Sequence, residues 1–235
     1  MNLPNLDARL LAVAEYVRRG AYVCDVGTDH AYLPVYLVLT GRARCALASD
    51  INEGPVLRAK KSVARYSAAD KIRVVLSDGL NGAEKYGITD IIIAGMGGEL
   101  IAEIIDKAKW VRDIRYRLIL QPMTHAEILR KYLVEGGFEI KDENIVTEQN
   151  DSKIYQIICA EYTGIAESYS NEELLLGKHN IARNDSEFIK LCERFNSANK
   201  KIKAAKESAG QDASIEAEIV AFTEKYLANG AFLRK

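Results

Sequence analysis

The chain has 235 residues, 48% of them hydrophobic, and a formal net charge of −1 from 32 basic and 33 acidic side chains. That length buries one good core and leaves room for a small appendage. No apolar run reaches the roughly 20 residues of a membrane span, MNLPNLDARL does not read as a signal peptide, and a near-zero charge gives no bulk attraction for nucleic acid.

In chain order, a helix is expected over 6–18, where Leu6, Leu10, Val13, Ala14 and Val17 form one stripe. AYVCDV (21–26), ARCALASD (43–50), IRVVLS (72–77), TDIIIA (89–94) and YRLILQ (116–121) predict strands, with helices at 54–67, 98–108 and 124–135. Runs this apolar suit strands covered on both faces, hence an α/β fold with a parallel sheet. FEIKDENIVTE (138–148) and KIYQIICAEY (153–162) follow, parted only by Gln149-Asn150-Asp151-Ser152. Strands so close predict an antiparallel pair closing one side of the sheet.

After Gly164 the pattern turns helical. Phe188, Leu191, Phe195, Ala198, Ile202 and Ala205 step by threes and fours, and Ile215, Ile219, Phe222 and Tyr226 repeat the rhythm after Gly210. The expected organisation is an α/β domain over 1–164 and an antiparallel helical hairpin over 165–235, its polar face carrying Lys190, Arg194, Lys200, Lys201, Lys203 and Lys206. Cys24, Cys45, Cys159 and Cys192 form no Cys-x-x-Cys pair and read as reduced residues of a cytoplasmic protein. His30, His125 and His179 have no ligand spacing, so no metal is expected.

Function must be sought at the C-terminal strand ends, where open α/β sheets bind ligands. They deliver Asp25-Val26-Gly27-Thr28-Asp29, then Asp50, then Asp78, then Gly95-Met96-Gly97-Gly98. A dinucleotide site asks for three glycines to cradle a pyrophosphate. Here only Gly27 is present, and Asp29 would set a carboxylate against a diphosphate. S-adenosylmethionine has no phosphate, and its sulfonium and ammonium outweigh its carboxylate, so the electrostatic sign favours the methyl donor. Gly27 admits close backbone approach; Asp25 and Asp29 would face the cationic groups; Asp50 would accept the ribose hydroxyls; Asp78 with Gly79 and Leu80 would meet the adenine edge. Thr28, His30, Ile51, Asn52 and Gly95 complete the expected cofactor contacts.

Asp25-x-Gly27-Thr28-Asp29-His30-Ala31-Tyr32-Leu33-Pro34, Asn52-x-Gly54-Pro55, Gly95-Met96-Gly97-Gly98 and Gln121-Pro122 together resemble the TrmK-type bacterial tRNA methyltransferases. The resemblance covers essentially the whole chain. It implies a Rossmann-like class I methyltransferase domain with a coiled-coil-like helical C-terminal part, and methylation of N1 of adenine at tRNA position 22 by S-adenosylmethionine. The family often has Gln-Pro-Asn where this chain has Gln121-Pro122-Met123, and Gly-Glu where it has Ser49-Asp50.

N1 of adenine carries an in-plane lone pair and no proton, so positioning supplies much of the rate and no strong base is needed. Asp29, with Gly95 and Met96 forming a wall at the reacting edge, is expected to stabilise the charge arriving on the base. Substrate contacts are expected from Arg9, His30, Tyr32, Gly97, Gln121, Pro122, Lys153 and Tyr155, the two tyrosines as stacking surfaces, and from Lys200 and Lys203 on the tail. Arg18, Arg19, Lys60 and Lys61 add to the basic surface. A monomer or weak dimer is expected. Two alternatives stand: a methyltransferase for small molecules or proteins, with the tail as a dimerisation element, and a non-catalytic module that binds S-adenosylmethionine.

Overall fold

The computed structural model describes residues 3–148 and 153–230, so the connection at 149–152 lies outside the described residues. Seven strands form one sheet: β1 Ala21–Val26, β2 Ala43–Asp50, β3 Ile72–Leu76, β4 Asp90–Gly97, β5 Arg117–Thr124, β6 Phe138–Thr147 and β7 Ile154–Tyr162. Their order is β3-β2-β1-β4-β5-β7-β6; the first five run parallel, and β7 pairs antiparallel with both β5 and β6. Strand order reverses between β1 and β4, which puts the ligand crevice over their C-terminal ends. Backbone bonds tie the loops there: Gly27 and Thr28 donate to the Ser49 carbonyl, and Ser77 donates to that of Asp50.

Helix α1 spans Ala8–Glu15 with Asp7 as its N-cap, shorter at both ends than expected. Helix α2, Tyr32–Leu39, was not expected at all. Its sequence YLPVYLVL is apolar on every side, because the helix is largely buried, and it carries no helical period to read. Pro34 is tolerated in its first turn, where no N–H partner is needed. Helices α3 Glu53–Arg65, α4 Gly98–Lys107 and α5 Ala126–Glu135 complete the layers.

Two expected boundaries move. The strand expected to end at 94 runs on as a bulged continuation of β4, with Gly95 at φ +82° and register shifts on either side of Met96. Beside it β5 runs on through Gln121, Pro122 and Met123 to Thr124. Pro122, which cannot donate to the ladder, faces that bulge. Gly98 begins α4 under close approach: a Cβ there would overlap the His125 carbonyl.

The core also holds an ion pair with no signal in the hydrophobic pattern. Arg130 on α5 and Glu143 on β6 are both fully buried at 2.6 Å, and the guanidinium also reaches Gln156 at 2.7 Å. Such a pair is costly to break from one side, about 3–5 kcal/mol, and pins α5 to the antiparallel strands. Burial pushes the Cys159 and Cys192 thiols up to about 12, so neither is a ready nucleophile.

The chain divides into two compact units, Met1–Ser168 and Tyr169–Lys235. Among its described residues the second has four helices where two were expected: α6 Asn171–Leu176, α7 Lys178–Arg183, α8 Ser186–Ser208 and α9 Ser214–Gly230. A Ser170–Glu173 capping box starts α6, and Asp185 caps α8 through the Phe188 N–H. Of the expected apolar stripe, Phe188 and Leu191 are buried at the start of α8 and Tyr226 on α9, whereas Ala198, Ile202 and Ala205 are exposed. On α9 the buried row is Glu216, Val220, Thr223 and Tyr226, shifted by one residue from Ile215 and Ile219. The seam is mixed: Phe188 stacks edge-on against Tyr226, Asn196 Nδ2 donates to Thr223 Oγ1 at 2.9 Å, and Lys206 pairs with Glu216 at 2.6 Å.

Candidate active site

Asp25 lies in β1 between Ala48 of β2 and Ile92 of β4 and is only 7% exposed. Burial raises its pKa from 3.8 to about 6; the Thr28 hydroxyl and the Arg9 charge oppose this, and Asp50 adds to it. Among the described residues no cation pairs with Asp25 directly. The Thr28 hydroxyl leans toward it without closing a hydrogen bond, and is buried. Gly27 turns the chain at φ +75°, with the Met96 methyl group lying against it. Asp50 spends one carboxylate oxygen on the Asn52 N–H at 2.8 Å and Asn52 Nδ2 at 3.3 Å. Ile51 beside it is exposed, as is Asp78, while Gly79 takes φ +56° and Leu80 is buried.

Asp29 has a partner that the sequence reading missed. Arg58 of α3 reaches Asp29 Oδ1 through two guanidinium nitrogens, each at 2.9 Å, and His30 Nε2 lies 3.7 Å away. The pair compensates the charge expected at the reacting centre, so Asp29 can act there only by exchanging Arg58 for the ligand. Both members are exposed, so the exchange costs little. A basic side chain one turn into α3 was the available signal. His30 and Ala31 both sit in the left-handed region, at φ 61° and 52°, and His30 stacks on the half-buried Tyr32 with ring centroids 5.2 Å apart.

On β4 and β5 the polar groups satisfy one another. Gln121 is fully buried; its Oε1 accepts from the Gly95 N–H at 3.1 Å and from Arg9 at 2.9 Å, and its Nε2 donates to the Pro122 carbonyl at 2.9 Å. Gly97 packs beside Thr124. Arg9, expected as a substrate contact on the basic surface, is instead drawn inward, 3.6 Å from Asp7 and 5.6 Å above the Tyr155 ring. Tyr155 is corrected too: it is buried, its hydroxyl donates to Glu148 at 2.8 Å, and its ring has no free face for a base. Arg18 is structural, paired with the fully buried Asp90 at 2.7 Å.

Lys153 is exposed. Lys200 pairs with Glu224 at 2.8 Å and Lys203 with Glu207 at 3.7 Å, both at the surface, where phosphate competes readily with carboxylate. Among the described residues no helix is long and apolar enough to cross a membrane, and no group of three metal-ligating side chains occurs. The strand ends therefore set a carboxylate-lined half, suited to a cation and hostile to phosphate, beside a half held rigid by an arginine and a buried amide.

Residues 6–158 match the family described as methyltransferase domain. The tRNA (adenine(22)-N(1))-methyltransferase of Bacillus subtilis (strain 168) is 43% identical over 161 residues, which is 68% of this chain and 67% of that protein. The crystal structure of the B. subtilis m1A22 tRNA methyltransferase TrmK aligns at TM-score 0.84 and 32% identity, covering 95% of this chain and 99% of that one. Sp1610 of Streptococcus pneumoniae, solved in complex with S-adenosyl-L-methionine, aligns at TM-score 0.84 and 32% identity over 95% of this chain and 100% of that one. M. capricolum TrmK, in complex with S-adenosyl-homocysteine, aligns at TM-score 0.81 and 26% identity, covering 95% and 98%.

Proposed function

Since the chain belongs to the methyltransferase-domain family, and within it to the tRNA (adenine-22, N1)-methyltransferases, we propose that it methylates N1 of adenine 22 in tRNA, using S-adenosylmethionine. The observation that carries the reading is the carboxylate-lined crest around a single glycine turn, with Asp25 buried and unpaired at its centre.

The residues present fit that cofactor. Gly27 brings bare backbone to the site, the covering Met96 methyl is the movable end of a flexible side chain, and the buried Thr28 hydroxyl still lacks a hydrogen-bond partner. When bound, S-adenosylmethionine supplies an electrophilic methyl on a sulfonium. Asp25 would hold the cationic tail, the unspent oxygen of Asp50 would accept from the ribose, and Asp78 with the Gly79-Leu80 backbone would border the adenine. Gly95 and Met96 hold the reacting edge of the target base, fixed from behind by Gln121 and Arg9. No side chain has to remove a proton before transfer, because N1 attacks through its lone pair; alignment is the main contribution of this wall. Asp29, once released from Arg58, faces the charge arriving on the base.

The target base in a folded tRNA is stacked and has to be turned out, which calls for phosphate contacts away from the pocket. We assign these to tail lysines, the exposed Lys200 and Lys201 and the half-buried Lys203. The protein acts as a monomer or weak dimer in the cytoplasm. The test is incubation with unmodified tRNA and labelled methyl donor, followed by mapping of the labelled nucleoside. Label on N1 of adenine 22 is expected; an unlabelled tRNA pool, or label on another atom, would sink the reading.

A further inference from the structure

Met123 ends the Gln121-Pro122-Met123 run with 49% of its surface exposed, directly after two buried residues. Its sulfur lies 3.6 Å from Gln121 Nε2, the amide whose oxygen is already shared by Arg9 and Gly95. The thioether is therefore tethered at one side to the rigid half of the site and open on the other. A side chain so placed offers a polarisable surface to an aromatic ring and no conventional donor for its edge. Resting on the base-methylation reading above, we infer that Met123 is the platform against which the target adenine lies, selecting it by shape and dispersion, not by a hydrogen bond.

The full chain, wild type and with Met123→Ala, Met123→Leu or Met123→Gln, is assayed for affinity toward two unmodified tRNA transcripts. One is intact and the other is abasic at the target nucleotide. Steady-state methyl transfer and calorimetric binding of S-adenosylmethionine accompany the measurement. Wild type favours the intact transcript; Met123→Ala and Met123→Gln lose that preference and raise KM for tRNA about tenfold, while Met123→Leu stays within about threefold. Cofactor affinity is unchanged in all. An undiminished preference for the intact base in both the Ala and Gln variants overturns the inference, as does a loss that appears equally in cofactor binding. Wild type that leaves tRNA unmethylated instead defeats the proposed function itself, so the two failures are told apart.

Discussion

The two halves of the crest are built on opposite plans. Under β1, β2 and β3 the polar groups are carboxylates, and the central one, Asp25, is buried with no cation bonded to it. Over β4 and β5 they are an arginine, an amide and backbone N–H groups that already satisfy one another. A half with an unpaired carboxylate at its centre is poised for a charged ligand, and a satisfied half keeps its shape while that ligand reacts. The difference teaches that affinity and alignment are supplied by different residues and can be perturbed separately.

The largest effect is expected where the rigid half is held to α4. Gly98→Ala forces a Cβ into the His125 carbonyl, which is backbone and cannot swing aside. A loss of about 3 kcal/mol follows, or a fall in Tm of about 6–12 °C by thermal melting. A melt within about 2 °C of wild type would show that the close approach is dispensable.

Next is the open half. Asp25→Asn should weaken S-adenosylmethionine binding about 100-fold by calorimetry, yet raise or leave unchanged the melting temperature at neutral pH. The sign follows from linkage: with its pKa moved from 3.8 up to about 6, Asp25 favours the unliganded fold below 3.8, and that contribution is lost as pH rises through about 6. Binding of a cation runs the other way, and cofactor affinity in wild type should fall about tenfold per pH unit below about 6. Asp25→Asn should flatten that profile.

Arg9→Met sharpens the contrast, because Arg9 belongs to the satisfied half yet acts electrostatically on the other. It should lower kcat/KM for tRNA about tenfold by loosening Gln121. At pH 8 cofactor affinity should stay within about threefold, since Asp25 is ionised there either way, while the midpoint of its pH profile climbs above about 6. An unmoved midpoint would deny Arg9 its influence on Asp25. The smallest effect belongs to Arg58→Gln, whose exposed pair with Asp29 is worth at most about 1 kcal/mol. Stability should not change, and cofactor affinity should rise by no more than about threefold as Asp29 is freed.

The same contrast explains what the sequence disclosed. Asp25, Asp50 and Asp78 could be read because each stands at or just beyond the end of its own apolar run, and the order of types along the chain is the signal. Gln121 ends its apolar run too, and Arg9 was expected as a substrate contact, but the bond between them was hidden because it joins residues 112 positions apart. Tyr155 misled because a tyrosine in a strand shows its period but not which oxygen its hydroxyl will meet. Helix α2 was silent because burial on all sides erases periodicity. In the tail, Ala198 and Ala205 imitated a core stripe, while Asn196, Lys206 and Thr223 joined the seam without any apolar signal.

The bond from Arg9 to Gln121 also bears on the birth of the molecule. A ribosome adding roughly 5–20 residues per second needs roughly 6–20 s to carry the chain from one to the other. Before that interval ends the first three strands and their carboxylates have been made, but Arg9 still has no amide to hold. The nascent protein can gather its acids early; the alignment half cannot be completed before the fifth strand is made.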